Sequence, residues 1–413
     1  MDLTKKPFTK LEDVTYPCVL ATYEANVPKE TNICRRAAAF AVGQTIGTWV
    51  PVPGITEEMI NAYQGSVLGV EKVSEERVNA CYRIVIAFPT ANFGGSLTQM
   101  MTALVGNDVS TAMHAKLVGL TVRNGGEADF SAPRQGIAQL RALTGVQNRP
   151  LVLNMIKPCA GYTPEEGARL FRQVAMGGMD LVKDDELLGS PAYNQVEART
   201  RLYLRAAQEV YEQTGHRTVY LPNISGSPSQ VLENARQVLD AGARACLYNY
   251  VFGGLDTLLE LNEEFGDKLF IMAHYAGLSV MTSGISNGVF LGTLARLAGA
   301  HAVMTMCPDP ADDAAMADFR NTVGMQQDCC GTLNPVVTTV GGGITPANQA
   351  WIQKMLGTDT VIGIGGAVQG HPMGATAGAA AAMAAVSATA AGIPLEEAAA
   401  SCEALDQALK LWR

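Results

Sequence analysis

Gly177-Gly178-Met179-Asp180-Leu181-Val182-Lys183-Asp184-Asp185-Glu186-Leu187-Leu188-Gly189 is the stretch on which the reading of this chain turns. Met179, Leu181 and Val182 open it as a buried strand opens, and four charged residues follow where the strand should end. Side chains two apart on a strand share a face, so Lys183 and Asp185 point the same way, and Glu186 can join them once the chain turns. A lysine and two carboxylates then converge at a strand mouth. Buried charges persist when they are paired or bind a metal, and hard oxygen donors in this number suit Mg²⁺. The bland alternative is a solvated charge run where a strand meets a loop, and these four residues alone do not decide between the two.

Outward from that stretch the chain keeps a regular beat. Apolar segments at 151–158, 179–186, 218–225, 245–252, 269–276, 300–307, 335–341 and 361–368 alternate with helical patterns at 164–176, 194–213, 229–241, 255–264, 289–298, 314–323, 347–356 and 374–391. Eight β/α units over roughly 250 residues predict an α/β chain with a (β/α)8 TIM barrel. A doubly wound open sheet is the alternative, because strand count does not prove closure. A last amphipathic helix is expected over 395–411. Upstream, 16–26, 29–44, 65–73, 77–88, 97–105 and 115–123 read β-α-β-β-α-β, a small ferredoxin-like α+β sandwich. The Gly, Asp, Ser and Pro of 124–135 mark the boundary, giving an N-terminal domain at 1–135 and a barrel at 136–413.

Composition narrows the function classes. The 413 residues are 48% hydrophobic and 17% charged, ordinary for an enzyme with a sizeable core. A net charge of −9 offers no basic footprint for nucleic acid or an anionic membrane, so any anionic substrate must be met by local groups. The polar start and the lack of a long bulky apolar run predict neither a signal peptide nor a spanning helix. Nine scattered cysteines without a C-x-x-C pair read as reduced and mostly buried, hence a cytoplasmic protein. The vicinal Cys329-Cys330 pair shows no activating environment in sequence.

Barrel enzymes carry their chemistry at the C-terminal ends of the strands. Here the first predicted strand ends in Lys157-Pro158, the second in the charged run, the third in Asn223, the fourth near Asn249 and the fifth in His274. The seventh and eighth end in Gly341-Gly342-Gly343 and Gly365-Gly366, whose backbone N–H groups can wrap a phosphate without a Cβ in the way. Each has an ordinary reading too: a strand-end lysine is commonly a surface cation, glycines end strands merely to turn, and His274 could be a satisfied core histidine. His216 and His301 read as structural.

With these residues in hand, the chain resembles the RuBisCO large-subunit superfamily nearly end to end. Gly178 to Glu186 is similar to that family's metal motif, and Gly47-Thr48-Trp49, Val105-Gly106-Asn107, Ile156-Lys157-Pro158, Gly342-Gly343-Ile344, Gly365-Gly366 and Gly370-His371-Pro372 fall in the family's order. The resemblance implies that Lys183 is carbamylated by CO₂ and binds Mg²⁺ with Asp185 and Glu186. It implies an acid/base role for Lys157, a catalytic role for His274, and a head-to-tail homodimer in which Thr48, Trp49 and Asn107 reach a neighbour's barrel mouth.

The departures point away from CO₂ fixation. No lysine occurs between Ala302 and Gln353, where carboxylating members keep a mobile one. Tyr275 and Val303 stand where that family has basic residues that grip a second phosphate, Cys159 replaces a lysine, and Gly43 a glutamate. The resemblance thus narrows to a RuBisCO-like (form IV) protein acting on a substrate with one phosphate. Its leading expectation is Mg²⁺-dependent enolisation, as with 2,3-diketo-5-methylthiopentyl 1-phosphate, although His114 and Lys116 stand near where that branch keeps a catalytic lysine. A sugar-phosphate isomerase, a decarboxylase of a phosphorylated 3-oxo sugar acid of the 3-oxo-isoapionate 4-phosphate type, and a non-catalytic metabolite-binding barrel are the alternatives.

Overall fold

The computed structural model describes residues 7–47, 53–130, 133–328 and 333–412. The chain forms two compact units, the first built from 1–132, 277–298 and 321–334, the second from 133–276, 299–320 and 335–413. In the first, strands β1 (Cys18–Pro28), β2 (Ser66–Glu75), β3 (Asn79–Pro89) and β4 (Ala115–Arg123) make one antiparallel sheet in the order β2-β3-β1-β4. Alternate residues Val19, Ala21, Tyr23, Ala25 and Val27 of β1 are fully buried, and Phe40 of the helix Ile33–Gly43 packs edge-on against Tyr23 and Phe88. A helix at Glu57–Tyr63 joins the expected pattern. Thr56 caps it and two glutamates fill its first turn, but only Ile60 is buried, so no apolar stripe announced it.

The second unit contains eight parallel strands: β5 (Leu151–Met155), β6 (Leu181–Lys183), β7 (Val219–Leu221), β8 (Ala245–Asn249), β9 (Phe270–His274), β10 (Ala302–Met306), β11 (Val337–Gly341) and β12 (Val361–Gly363). Their order is β7-β6-β5-β12-β11-β10-β9-β8. The ends of that order meet: Leu247 N–H donates to the Pro222 carbonyl at 2.9 Å, and Ile224 N–H to the Leu247 carbonyl at 3.0 Å. The sheet is therefore a barrel, and the open-sheet alternative falls. Leu151, Leu153, Leu181, Leu221, Leu247, Phe270, Met272, Met304, Val337 and Val361 share one interior core. Leu140 of the helix Ile137–Thr144 closes it at the strand starts, where Arg141 ties the Arg149 and Thr358 carbonyls together.

The barrel strands are a few residues shorter than expected, and three expected elements change character. β8 stops at Asn249 and β12 at Gly363, and the apolar residues that follow them turn into the short helices Tyr250–Gly253 and Gly366–Gln369. A short apolar run reads the same on a buried strand and a buried helix. The closing helix is split into Leu395–Ala400 and Glu403–Trp412, and at the break Ser401 Oγ donates back to the Ala398 carbonyl at 3.1 Å, a competing bond that interrupts helices. Among the described residues no helix is long and apolar enough to cross a membrane.

Candidate active site

Strand parity aims the site. Leu181 fills the barrel interior, so Lys183, two residues on, points inward one layer nearer the strand ends. The same alternation carries Phe270 and Met272 to His274, Leu247 to Asn249, and Leu221 to Asn223. Of these, Lys183 and His274 border a cavity of about 450 Å³ that Lys157, Asp185 and Glu186 also line. The structure thus brings together Lys157, Lys183, Asp185, Glu186 and His274.

Lys183 is wholly buried, its Nζ 3.1 Å from the Asp184 carbonyl and 3.2 Å from Glu186 Oε2. Burial pulls its proton affinity below the usual lysine range, and the neighbouring carboxylates only partly restore it. Burial works against the charge of Glu186 as well, but the Lys183 ammonium and His274 outweigh it and hold the carboxyl down at about 2. Lys157 Nζ sits 2.6 Å from Asp185 Oδ2 and 3.1 Å from Cys159 Sγ. Partial burial opposes its charge, yet the bond to Asp185 wins and raises its pKa. As it stands Lys157 is an ammonium.

His274 is nearly buried, and desolvation followed by the charge of Lys183 takes its pKa down to about 3. Its Nδ1 accepts the Ala276 N–H at 3.1 Å, so the neutral ring carries its proton on Nε2, which lies 3.4 Å from Glu186 Oε2. Tyr275 stacks on the ring at 5.0 Å. His301 instead pins the core, accepting from Ile271 N–H at 2.9 Å and meeting Asn262 Oδ1 at 2.9 Å; His216 meets the Met179 carbonyl at 3.1 Å.

Behind the charged turn is a network that the sequence reading missed. Asp184 faces away from the cavity, where Tyr220 Oη donates to its Oδ1 at 2.7 Å, and Arg199 Nε and Asn223 N–H donate to its Oδ2 at 2.8 Å. Arg199 also donates to the Asn194 and Asn223 carbonyls. Asn223 Nδ2 reaches the carbonyls of Asp185 and Glu186 at 3.2 Å, and Asn249 Nδ2 reaches the Glu186 carbonyl at 3.0 Å. The backbone that presents the two carboxylates is thereby held from outside the cavity. Asp184 and Arg199 lie fifteen residues apart with opposite charges, and that was the only signal available.

The four glycines expected to cradle a phosphate fall into two pairs. At Gly343 and Gly366 a Cβ would meet nothing within 4 Å, so these turns front open space. At Gly342, whose φ is +100°, a Cβ would lie 2.6 Å from Met306 Sδ, and at Gly365 it would lie 3.2 Å from Met155 Cε. Methionine side chains already lean on those two.

Two family models account for the chain: the ribulose bisphosphate carboxylase large chain N-terminal domain matches residues 12–120, and the catalytic domain of the same chain matches 136–412. The chain belongs to the RuBisCO large-chain family. Within that family it is 34% identical over 409 residues to a 2,3-diketo-5-methylthiopentyl-1-phosphate enolase of Geobacillus kaustophilus, covering 95% of this chain and 98% of that one. It is 34% identical to a ribulose bisphosphate carboxylase-like protein of Archaeoglobus fulgidus, covering 87% and 85%. A solved rubisco-like protein (MtnW) from Alicyclobacillus acidocaldarius superposes with a TM-score of 0.87 at 33% identity, covering 96% and 100%. A dimeric archaeal Rubisco from Hyperthermus butylicus does so at 0.88 and 25%, covering 99% of each chain.

Set against other RuBisCO-type chains, the departures take physical form. Tyr275 borders the cavity as an uncharged phenol, whose pKa burial raises first and Glu186 second. Val303 is fully buried and alternates to the outer face between the interior residues Ala302 and Met304. Neither residue brings a charge to the cavity: Tyr275 lines it as a phenol, and Val303 packs outside it. Lys157 and Lys183 are the only cationic side chains lining the cavity among the described residues.

In the first unit, the Asn107 carbonyl accepts from Thr111 Oγ1 at 2.7 Å. Thr48 and Trp49, like Cys329 and Cys330, lie outside the described residues. His114 holds a left-handed φ of 47°, and Lys116 stands opposite Glu24 in the sheet register. Both border a wider cleft of about 700 Å³, whose lining lacks the paired carboxylates and buried lysine of the barrel cavity.

The donor set fits Mg²⁺ on one condition. Among the described residues no three His, Cys, Asp or Glu side chains gather to hold a metal ion. Asp185 and Glu186 supply two carboxylates, and a third hard oxygen donor would come from Lys183 once its amine carries a carboxyl group. A buried amine with lowered proton affinity, set beside those carboxylates, suits that conversion.

Proposed function

We propose that the barrel enolises a monophosphorylated keto compound, 2,3-diketo-5-methylthiopentyl 1-phosphate or a close analogue, without fixing CO₂. One observation carries this reading: the wholly buried amine of Lys183 stands beside Glu186 and Asp185 at a barrel mouth, in a chain 34% identical to an enolase of that substrate.

Neutral Lys183 adds CO₂ through its nitrogen lone pair and releases a proton, giving a carbamate anion. That carbamate, Asp185 and Glu186 would hold Mg²⁺. When bound, the ion stabilises negative charge on a carbonyl oxygen of the substrate. Lys157 handles the proton at carbon. Released from Asp185, its ammonium loses the partner that keeps it protonated, and the free amine can take the proton α to the carbonyl. The C–H electron pair becomes the new C=C bond, and the carbonyl π pair moves to oxygen. In this reading His274, a neutral Nε2–H donor, hydrogen-bonds the developing oxyanion. The open amides at Gly343 and Gly366 take the phosphate, with Gly342 and Gly365 shaping those turns.

The mouth is completed by Thr48, Trp49 and Asn107 of a second copy in a cytoplasmic homodimer, with the domains divided at 135/136; the dimeric neighbour supports such an assembly. Deuterium uptake from solvent into the diketo phosphate, dependent on Mg²⁺ and bicarbonate, tests the function. Absence of uptake under those conditions contradicts it.

One observation favours a second reading. With Asp185 and Cys159 both on its amine, Lys157 is poised to give a proton, as it would to the enolate left when a phosphorylated 3-oxo sugar acid loses CO₂. An isomerase would return the proton to another carbon of the same enolate. CO₂ release and the position of the deuterium separate the three.

A further inference from the structure

The cavity has two unlike kinds of lining. Its charged side chains come from the ends of β5, β6 and β9. Met155, Met304 and Met306 reach it from β5 and β10, the strands that flank β11 and β12. Glycine makes this possible: a Cβ on Gly341 would lie 2.8 Å from Met304 Cε, and one on Gly365, just past β12, would lie 3.2 Å from Met155 Cε. Interior positions at the ends of β11 and β12 are left empty, and flexible thioether chains from the flanking strands fill that space. Met306 remains 54% exposed, its sulfur 3.5 Å from Tyr275 Oη, so the strip runs from the floor of the cavity to its mouth.

We infer that Met155, Met304 and Met306 form the specificity subsite for an unbranched apolar tail, of thioether or alkyl character, on the substrate. The inference rests on the enolase reading and deepens it. Unbranched, polarisable thioethers adapt to a slender chain and gain dispersion contact along it. They also offer no strong hydrogen-bond donor to a hydroxyl group, so a hydroxylated sugar-phosphate tail would lose its water there without replacement. The three methionines carry no charge, so a second phosphate set against them would gain no counter-charge from them either. The charged side chains take the reacting carbonyl, the turns at Gly343 and Gly366 take the phosphate, and the methionines take the tail.

The test compares solvent deuterium uptake by the full-length protein with two substrates: the 5-methylthio diketo phosphate and its 5-hydroxy counterpart. A preference of about 100-fold in kcat/KM for the methylthio compound is expected, the scale on which an apolar pocket rejects an added hydroxyl. Met306→Thr, at a position exposed enough to tolerate the change, should narrow that ratio at least several-fold, mostly through KM for the methylthio compound. Met155→Thr is the second variant and should narrow it likewise. Uptake from both compounds at equal kcat/KM, or a ratio unmoved by either substitution, overturns the methionine subsite and leaves the enolase reading standing. Uptake from neither overturns both.

Discussion

Arg199 Nε lies 2.8 Å from Asp184 Oδ2 with both side chains wholly buried, and this ion pair stands directly behind the turn that presents Lys183, Asp185 and Glu186. Burial opposes the guanidinium charge, but Asp184 and Tyr220 more than offset it. Removing one partner leaves the other charge stranded. Arg199→Met should therefore cost about 3–5 kcal/mol of stability in urea unfolding. Tyr220→Phe removes the hydroxyl that donates to Asp184 and accepts from Arg199 Nε at 3.3 Å, and should cost about 1.5–3 kcal/mol. Equal stability of parent and Arg199→Met would show that the pair does not hold the turn.

Much of this arrangement was legible in the sequence, for identifiable reasons. The apolar run of β6 followed by Lys183 and Asp185 sets side-chain parity, and parity aims the lysine into the barrel. Strand ends were harder to see, since Tyr250 and Val251 are as apolar and buried in a helix as they would be in a strand. The partnership of Asp184 with Arg199 needs the helix Val196–Thr214 folded against β6 and β7, which no local pattern states. The methionines were passed over because an apolar residue at a strand end looks like core until the glycines across from it are seen in space.

Lys157 gives a prediction that separates binding from chemistry. Its amine is the group at the mouth tied to Asp185, and it moves the proton in the account above. Lys157→Met keeps the bulk of the chain but has nothing to protonate. Deuterium uptake should fall by at least about 10²-fold, the usual contribution of a positioned acid or base, while the substrate still shifts the melting temperature. Uptake at the parent rate would assign the proton to another group.

His301 sets a pH dependence of stability. Burial, and secondarily the Arg134 charge, depress its folded pKa to about 3, against about 6.5 in an unfolded chain. Between those values the unfolded state binds the extra proton. Stability should thus be flat with respect to this group above about pH 6.5 and fall as the pH drops towards 3. Denaturation midpoints of His301→Asn should decline less steeply than those of the parent over that window, whatever their absolute difference. Parallel curves would mean that His301 titrates alike in both states.

Ribulose bisphosphate with labelled bicarbonate should yield no carboxylated product. The cavity presents uncharged Tyr275 and the methionines where a second phosphate would need a cation, and no lysine lies between Ala302 and Gln353. Acid-stable label appearing as phosphoglycerate would overturn that reading.

The most direct measurement is a ¹³C NMR spectrum of the protein with Mg²⁺ and ¹³C-bicarbonate, parent beside Lys183→Ala. A carbamate resonance present in the parent and missing from the variant is the predicted result, since the buried amine of Lys183 is the one made to add CO₂. No carbamate resonance in the parent, or one that survives the substitution, would contradict the account.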